Sequence, residues 1–154
     1  MILTIAIVTW NRSRQLLDAL QSCLDSDLPD DAQFVIVDNG STDGTRMALE
    51  SFFKKCSYNH KIHFSDINLG AGIGRNLAFS MSDGDYIYFM DDDAFIDSRH
   101  SKTFFKDALR ILGDNPKVAT LTTQIYDLAW ERNRIERFGP SITEEIKECF
   151  MLCG

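Results

Sequence analysis

Four short strand-like runs alternate with segments whose apolar residues recur at helical spacing. The strand-like runs cover residues 2–8, 34–37, 61–65 and 86–90. The segments between them place apolar side chains three and four positions apart, as in the pair Leu16 and Leu20. Strands that alternate with helices are joined by crossovers, and the strands then run parallel. The pattern predicts an α/β fold with a doubly wound, mostly parallel sheet.

Further helices and strands are predicted in the second half of the chain. Apolar spacing predicts a further helix around Phe104–Leu112, and strands are predicted at 118–125 and 147–153. With 154 residues, of which 44% are hydrophobic, the chain has the size of one domain with a sizeable core. We therefore expect a single domain over residues 1–154.

The charge and cysteine content exclude several classes of protein. A net charge of −7 argues against a general nucleic-acid binder, which would carry a basic face. The longest apolar runs are shorter than a membrane span. The four cysteines form no CxxC motif and have no histidine at zinc-ligand spacing. Reduced thiols in a cytoplasmic protein are the simplest interpretation.

Polar side chains follow each of the four predicted strands. In an open parallel sheet, ligands bind in the crevice at the carboxyl ends of the strands. The groups that fall there are Thr9, Trp10, Asn11 and Arg12 after the first strand, Asp38 and Asn39 after the second, Asn68, Gly70 and Arg75 after the third, and Asp91, Asp92 and Asp93 after the fourth. Four strands that end in such groups at one edge predict a binding site.

The chemistry of these groups suits a phosphate-bearing ligand. Asp38 can accept hydrogen bonds from a nucleobase or a ribose, and Arg12 and Arg75 can donate to phosphate oxygens. The three adjacent aspartates would repel one another unless a cation or strong hydrogen bonds compensate. Mg²⁺ or Mn²⁺ is held by one or two carboxylates, which leaves positions for phosphate and water.

Side chains on an extended segment alternate in direction. Asp91 and Asp93 would then face one site while Asp92 points elsewhere, unless the chain turns there.

Each feature also has a structural interpretation. The segment DNGSTDGT can serve only as a turn and helix cap, and GAGIG can be a loop rich in glycine. The aspartates can cap the next helix, and Asn11 has the character of an N-cap. Trp10 is expected to pack rather than to stack on a ligand, and the histidines are assigned no role.

Four stretches together resemble a known family. These are IVTWNR, VIVDNGSTDGT, NLGAGIGRN and YFMDDDAF, in that order. The chain resembles the N-terminal, nucleotide-sugar-binding part of the family 2 glycosyltransferases, which have the GT-A fold. The resemblance covers residues 2 to about 153.

The resemblance implies transfer of a sugar from a nucleoside-diphosphate sugar to a glycan or lipid-linked acceptor, in cell-envelope glycan synthesis. UDP is the family's commonest nucleotide, with dTDP and GDP as alternatives, and Mg²⁺ or Mn²⁺ is the implied cofactor. The implied nucleotide-sugar-binding residues are Thr9, Asn11, Arg12, Asp38, Asn39, Gly70, Arg75, Asp91 and Asp92. The aspartates match the family's DxD motif, with Asp93 favoured as the metal ligand and Asp91 as the second.

The chain departs from the family pattern at its end. Family members continue past a strand like CFMLCG into an acceptor-binding region that carries an acidic general base. We therefore expect this chain to be truncated where the acceptor-binding region would begin. No residue of the chain can be assigned as the catalytic base. The sheet edge left by truncation would favour self-association. The expected location is cytoplasmic, with peripheral association at the inner face of the membrane in the intact enzyme.

Two other functions stay open. One is a non-catalytic nucleotide-sugar-binding module, which turnover of a nucleotide sugar would exclude. The other is a metal-dependent phosphotransferase or phosphatase, because a DxD sequence also ends a strand in phosphatases of the haloacid-dehalogenase type. Those enzymes carry a threonine where Phe95 stands here, and their nucleophile follows the first strand.

Overall fold

The computed structural model describes residues 2–98, 102–123, 126–127 and 132–133. The chain divides into two compact units, Met1–Pro116 and Lys117–Gly154. In the second unit, two short strands, β5 (Tyr126–Asp127) and β6 (Arg132–Asn133), pair in antiparallel fashion. The expectation of one domain over the whole chain stays a prediction.

The first unit is an α/β sheet structure. Its elements in chain order are β1 (Leu3–Thr9), α1 (Ser13–Leu24), β2 (Gln33–Asp38), α2 (Thr45–Phe53), β3 (Asn59–Phe64), α3 (Gly70–Met81), β4 (Tyr86–Asp91) and α4 (Phe104–Asp114). The four strands are all parallel and lie in the order β3-β2-β1-β4. The predicted α/β class and parallel sheet are confirmed.

The two faces of the sheet differ in the size of their side chains. On one face, Ile5 and Ile7 of β1 and Phe34 of β2 pack with the buried face of α1 in the main hydrophobic cluster. On the other face, Ala6 of β1 belongs to a smaller cluster with Ala78 of α3. Because successive residues of a strand point to opposite faces, the alternation of large and small residues along β1 sets this difference.

The glycines of the GAGIG segment lie within α3 rather than in a loop. Gly70 begins the helix with a φ of +77°. A Cβ atom on Gly74 would lie 2.6 Å from Cγ1 of Val8, so only glycine lets α3 pack this closely on β1. The close approach fixes the position of the next residue, Arg75, relative to the end of β1.

Of the elements predicted after residue 100, one helix is confirmed and one strand is wrong over most of its length. The predicted helix around Phe104–Leu112 is confirmed as α4. The predicted strand at 118–125 is wrong for residues 118–123, which form no strand, and its last two positions lie outside the described residues. The strand predicted at 147–153 also lies outside them. In the part of the chain that the structure describes, no helix has the length and apolar character needed to span a bilayer.

Hydrogen bonds tie the segment after β4 back to α1 and the loop that follows it. The Ser22 hydroxyl accepts from the backbone N–H of Ile96 at 3.0 Å. The carboxylate of Asp27 accepts from the backbone N–H groups of Phe105 and Lys106, at 3.0 and 2.9 Å. A carboxylate at a helix N-terminus satisfies donors that lack partners within the helix. These contacts anchor both the turn after the aspartates and α4.

Cys23 of α1 is expected to be unreactive in the folded protein. Its side chain is fully buried, with Sγ 3.5 Å from Sδ of Met90. Burial raises the pKa of its thiol to about 12. Since the thiolate is the reactive form, roughly one thiol in 10⁴ would be ionised near pH 8. Treatment with iodoacetamide, followed by mass spectrometry of each site, should modify half-buried Cys56 but leave Cys23 intact until denaturant is added. Modification of native Cys23 at the rate of Cys56 would contradict this expectation.

Candidate functional site

The carboxyl ends of β1, β2 and β4 meet at one edge of the sheet. Thr9 lies beside Asp38 across β1 and β2, and Val8 lies beside Asp91 across β1 and β4. A pocket of about 280 Å³ opens next to them, between β1, β4 and the start of α3. It is lined by Ala6, Val8, Arg12, Ala71, Arg75, Met90, Asp91, Asp92 and Asp93. The structure therefore brings together five of the sequence-predicted residues, both arginines and all three aspartates.

The chain turns directly after β4, and the turn decides where the aspartates point. The backbone N–H of Ala94 donates to the carbonyl oxygen of Asp91 at 3.1 Å. As a result the three aspartates do not simply alternate, and all of them line the same pocket. The alternation expected for a fully extended segment does not occur.

Asp92 is the buried member of the three. It is only 8% exposed. One carboxylate oxygen accepts from the Thr9 hydroxyl at 2.8 Å, and the other accepts from Nη1 of Arg12 at 3.1 Å. A buried carboxylate requires such partners. Asp92 therefore ties β4 to the end of β1 and holds Arg12 at the pocket.

Two arginines pair with the exposed aspartates. Nη1 of Arg12 also lies 2.6 Å from an oxygen of Asp93, and Nη2 of Arg75 lies 2.8 Å from an oxygen of Asp91. Asp92 and then Asp93 raise the pKa of the Arg12 guanidinium. The side chains in both exposed pairs are about half accessible to solvent. A negatively charged ligand can therefore reach both guanidinium groups.

The loops that follow β1 and β2 are joined by hydrogen bonds. Asn11 has a φ of 54°, and its side-chain oxygen accepts from the backbone N–H of Thr42 at 2.7 Å. Its own backbone N–H donates to the Ser41 hydroxyl at 2.8 Å. Asn11 is thus not the N-cap of α1, since the helix begins at Ser13. The predicted cap instead links two loops.

Asp43 completes this link. Its carboxylate accepts from the backbone N–H of Ser13 at 3.0 Å and from both the N–H and the hydroxyl of Thr45. The hydroxyl of Thr45, followed by the N–H of Ser13, lowers the pKa of Asp43. One carboxylate therefore serves the first turns of both α1 and α2. Sequence reasoning recognised DNGSTDGT as rich in turn and cap residues but did not identify Asp43 or Ser41 as the residues that align the two loops.

Asp38 and Asn39 are buried beside the pocket rather than among its lining residues. Each is 3% exposed. One carboxylate oxygen of Asp38 accepts from the backbone N–H of Ser41 at 3.0 Å. The backbone N–H of Asn39 donates to the carbonyl oxygen of Thr9 at 2.9 Å, and its side-chain amide nitrogen donates to the carbonyl oxygen of Gly70 at 3.3 Å. Asn39 thus connects β1 to the start of α3.

The residues at the outer margin of the site are exposed. Asn11 and Gly70 lie there. Trp10 is 51% exposed, and the expectation that it packs rather than stacks on a ligand stays a prediction.

The described side chains do not form a ready-made metal cage. Among residues 2–98, 102–123, 126–127 and 132–133, no three carboxylate, imidazole or thiol groups are placed to hold a metal ion together. Asp91 and Asp93 nevertheless present exposed carboxylate oxygens at the mouth of the pocket. Mg²⁺ commonly uses only one or two protein carboxylates and takes its other ligands from water and phosphate. The donor set fits an ion of that kind.

Sequence comparisons relate the chain to sugar-transferring proteins. The family model described as "Glycosyl transferase family 2" matches residues 4–149. The poly(ribitol-phosphate) beta-N-acetylglucosaminyltransferase TarS of Staphylococcus aureus is 28% identical over 114 residues, which are 73% of this chain and 19% of that protein. A cholesterol galactosyltransferase of Borreliella burgdorferi is 28% identical over 123 residues, 80% of this chain and 33% of that one. The matches therefore span only a fifth to a third of these relatives.

Structural comparisons agree on the fold. A structure of S. aureus TarS 1–349 in complex with UDP-GlcNAc has a TM-score of 0.66 at 24% identity, covering 82% of this chain and 38% of that one. The mannosyltransferase PcManGT of Pyrobaculum calidifontis, in complex with GDP-Man and Mn²⁺, has a TM-score of 0.69 at 23% identity, covering 75% and 33%. This likeness confirms the predicted GT-A type of sheet.

Proposed function

The chain belongs to glycosyl transferase family 2, and on that premise we propose that it binds a nucleoside-diphosphate sugar and serves its transfer to an acceptor. The observation that carries the proposal is the pocket at the carboxyl edge of the sheet. Two half-exposed arginines and three aspartates line it, on an apolar floor that includes Ala6 and Met90. Such a set suits a ligand that has a diphosphate at one end and needs a cation to balance it.

Each part of the site has a role in this proposal. Arg12 and Arg75 donate to the diphosphate oxygens, because a guanidinium presents several N–H donors to such groups. Asp38, beyond the pocket at the end of β2, accepts from the base or the ribose. Thr9 keeps Asp92 and the end of β4 in place through its hydroxyl. Asn11, Asn39 and Gly70 support the loops around the nucleotide.

A divalent cation is part of the proposal. Asp93, with Asp91 as the second residue, would hold Mg²⁺ or Mn²⁺, whose role when bound is to stabilise negative charge on the departing nucleoside diphosphate. The chain's own contribution is to supply hard oxygen ligands and to leave the remaining positions of the ion to phosphate and water.

The relatives suggest which donor to test first. TarS has been crystallised with UDP and with UDP-GlcNAc, and PcManGT with GDP-Man. We therefore propose UDP as the nucleotide, with GDP and dTDP as alternatives. The relatives are named for transfer to poly(ribitol-phosphate) and to cholesterol, which favours a cell-envelope glycan or a lipid as the acceptor.

Further aspects of the function stay predictions. They are the identity of the general base, the cytoplasmic location with peripheral association at the membrane, and self-association along the sheet edge. The phosphatase alternative receives no support from the family model.

Titration of UDP, dTDP and GDP, each with and without Mn²⁺, tests the proposal. We expect one nucleotide to bind in a Mn²⁺-dependent manner. Asp38→Asn should lower the affinity for this nucleotide about 10- to 150-fold. The variant keeps the shape of the side chain but loses charge-assisted hydrogen bonds worth about 1.5–3 kcal/mol. Asp31→Asn is the matched control, because exposed Asp31 lies before the opposite end of the same strand.

The outcomes separate the candidate functions. Binding of no nucleotide under either condition would overturn the proposal. Binding without release of sugar from the matching nucleotide sugar, in the presence of acceptor, would favour a non-catalytic binding module. Binding that Asp38→Asn and Asp31→Asn affect equally would show that Asp38 lies outside the nucleotide site.

A further inference from the structure

The two arginines of the pocket are held in different ways. Arg12 contacts exposed Asp93 and also Asp92, whose side chain is only 11% accessible. Arg75 contacts Asp91 through one pair in which the side chains are 50% and 62% accessible. Arg12 is therefore partner to a buried charge, whereas Arg75 is partner to an exposed one.

This difference in burial determines which pair can open. Withdrawal of Arg12 would leave the carboxylate of Asp92 buried, with the Thr9 hydroxyl as its remaining partner among the side chains that the structure describes, and an uncompensated buried charge is strongly unfavourable. Opening the Arg75–Asp91 pair exposes two groups that water already reaches. Exposed ion pairs stabilise a protein only weakly, because water screens both charges. The Arg75 pair can thus exchange partners easily, and the Arg12–Asp92 pair cannot.

The backbone places Arg75 where such an exchange is useful. Gly74 packs against Val8, which brings α3 close to the end of β1 and sets Arg75 at the pocket. Asp91, its partner, is one of the two carboxylates available to a cation. A cation at Asp91 and the guanidinium of Arg75 would compete for the same negative charge.

We infer that Arg75 is an exchangeable counter-ion: it neutralises Asp91 while no donor is bound, and it transfers to the donor diphosphate when a divalent cation takes Asp91. The inference rests on the proposed function and adds a link between its two ligands. A cation that binds Asp91 frees Arg75 for phosphate, and phosphate that attracts Arg75 frees Asp91 for the cation. Because linkage is reciprocal, each ligand then strengthens the binding of the other by the same factor.

Arg75→Gln tests this exchange, with Mn²⁺ as the first probe. Binding of Mn²⁺ alone, measured by the loss of the free-ion signal in electron paramagnetic resonance, should be about two- to fivefold tighter in the variant, because an exposed competitor has been removed. Arg110→Gln is the matched control. It removes the same charge from an exposed ion pair with Asp107 on α4, so it corrects for the change in net charge.

The second measurement is the factor by which nucleotide tightens Mn²⁺ binding. We use whichever of UDP, dTDP and GDP the wild type binds. In the wild type and in Arg110→Gln this factor should be the same, and in Arg75→Gln it should fall about two- to fivefold, because the exchange can couple the two ligands by no more than the factor with which Arg75 weakens Mn²⁺ binding. Thermal unfolding of all three proteins verifies that they are folded.

Two results would overturn the inference while leaving the proposed function intact. One is Mn²⁺ affinity that is equal in Arg75→Gln and Arg110→Gln. The other is an unchanged coupling factor in Arg75→Gln. If the wild type binds no nucleotide with Mn²⁺, the proposed function itself fails, and the exchange fails with it.

Discussion

Replacement of Phe34 by alanine is expected to lower the free energy of unfolding by about 3–5 kcal/mol. Phe34 is fully buried on β2, and its ring makes edge contacts with Phe53 and Tyr58, each at 5.8 Å between centroids. Truncation removes the buried ring and leaves a cavity that close-packed neighbours can fill only in part. A loss of this size is a large fraction of the stability of an ordinary domain.

Urea unfolding followed by circular dichroism measures this loss. Phe79→Ala is the matched control, since Phe79 is 63% exposed on α3 and its truncation removes the same atoms from solvent rather than from the core. The control should stay within about 0.5 kcal/mol of the wild type. A loss below about 1 kcal/mol in Phe34→Ala would show that the cluster around β2 is packed more loosely than the structure indicates.

The double variant Asp91→Asn/Asp93→Asn is expected to abolish the Mn²⁺-dependent part of nucleotide binding. Amides keep the shape of the side chains and can still accept hydrogen bonds from the arginines, but they remove both negative charges from the proposed ion ligands. Changes to groups that merely orient metal ligands reduce metal affinity about 10- to 100-fold. Loss of the negative charge on two ligands should therefore lower the affinity for Mn²⁺ at least about 100-fold.

Calorimetric titration of nucleotide with and without Mn²⁺ measures this effect. The two curves should coincide in the double variant and differ in the wild type. Asp30→Asn/Asp31→Asn is the control, because it changes the net charge equally at two exposed positions before β2. Full metal dependence in Asp91→Asn/Asp93→Asn would mean that the ion is held elsewhere and that the assignment of the aspartates is wrong.

The parallel direction of the strands could be predicted because the signal is repeated and local. Four strand-like runs separated by helical spacing leave few topologies, and the parallel sheet follows from the connections. The glycines of α3 could not be placed in the same way. Glycine disfavours helices, so the local pattern favours a loop. The close approach of Gly74 to Val8 is a tertiary contact, and it outweighs that preference.

The site was predictable as a location but not in its internal contacts. That polar residues after parallel strands converge follows from topology alone. The direction of Asp92 depends on the turn after β4, and its partners Thr9 and Arg12 lie at or just after the end of β1, 83 and 80 positions earlier in the chain. Similarly, nothing in the local sequence shows that Asn11 accepts a hydrogen bond from Thr42. Such pairings arise only when the loops are assembled.

The place of β1 between β2 and β4 has a consequence for how the protein is made. Thr9 and Asp92 are separated by 83 positions in the chain, and Arg12 and Asp92 by 80. β4 must emerge from the ribosome before either contact can form, whereas β1, β2 and β3 can pair earlier. Contacts between such distant positions close large loops and slow folding. During synthesis, the nascent chain therefore carries β1 with one unpaired side until β4 has left the exit tunnel, which is the period when chaperone protection would matter most.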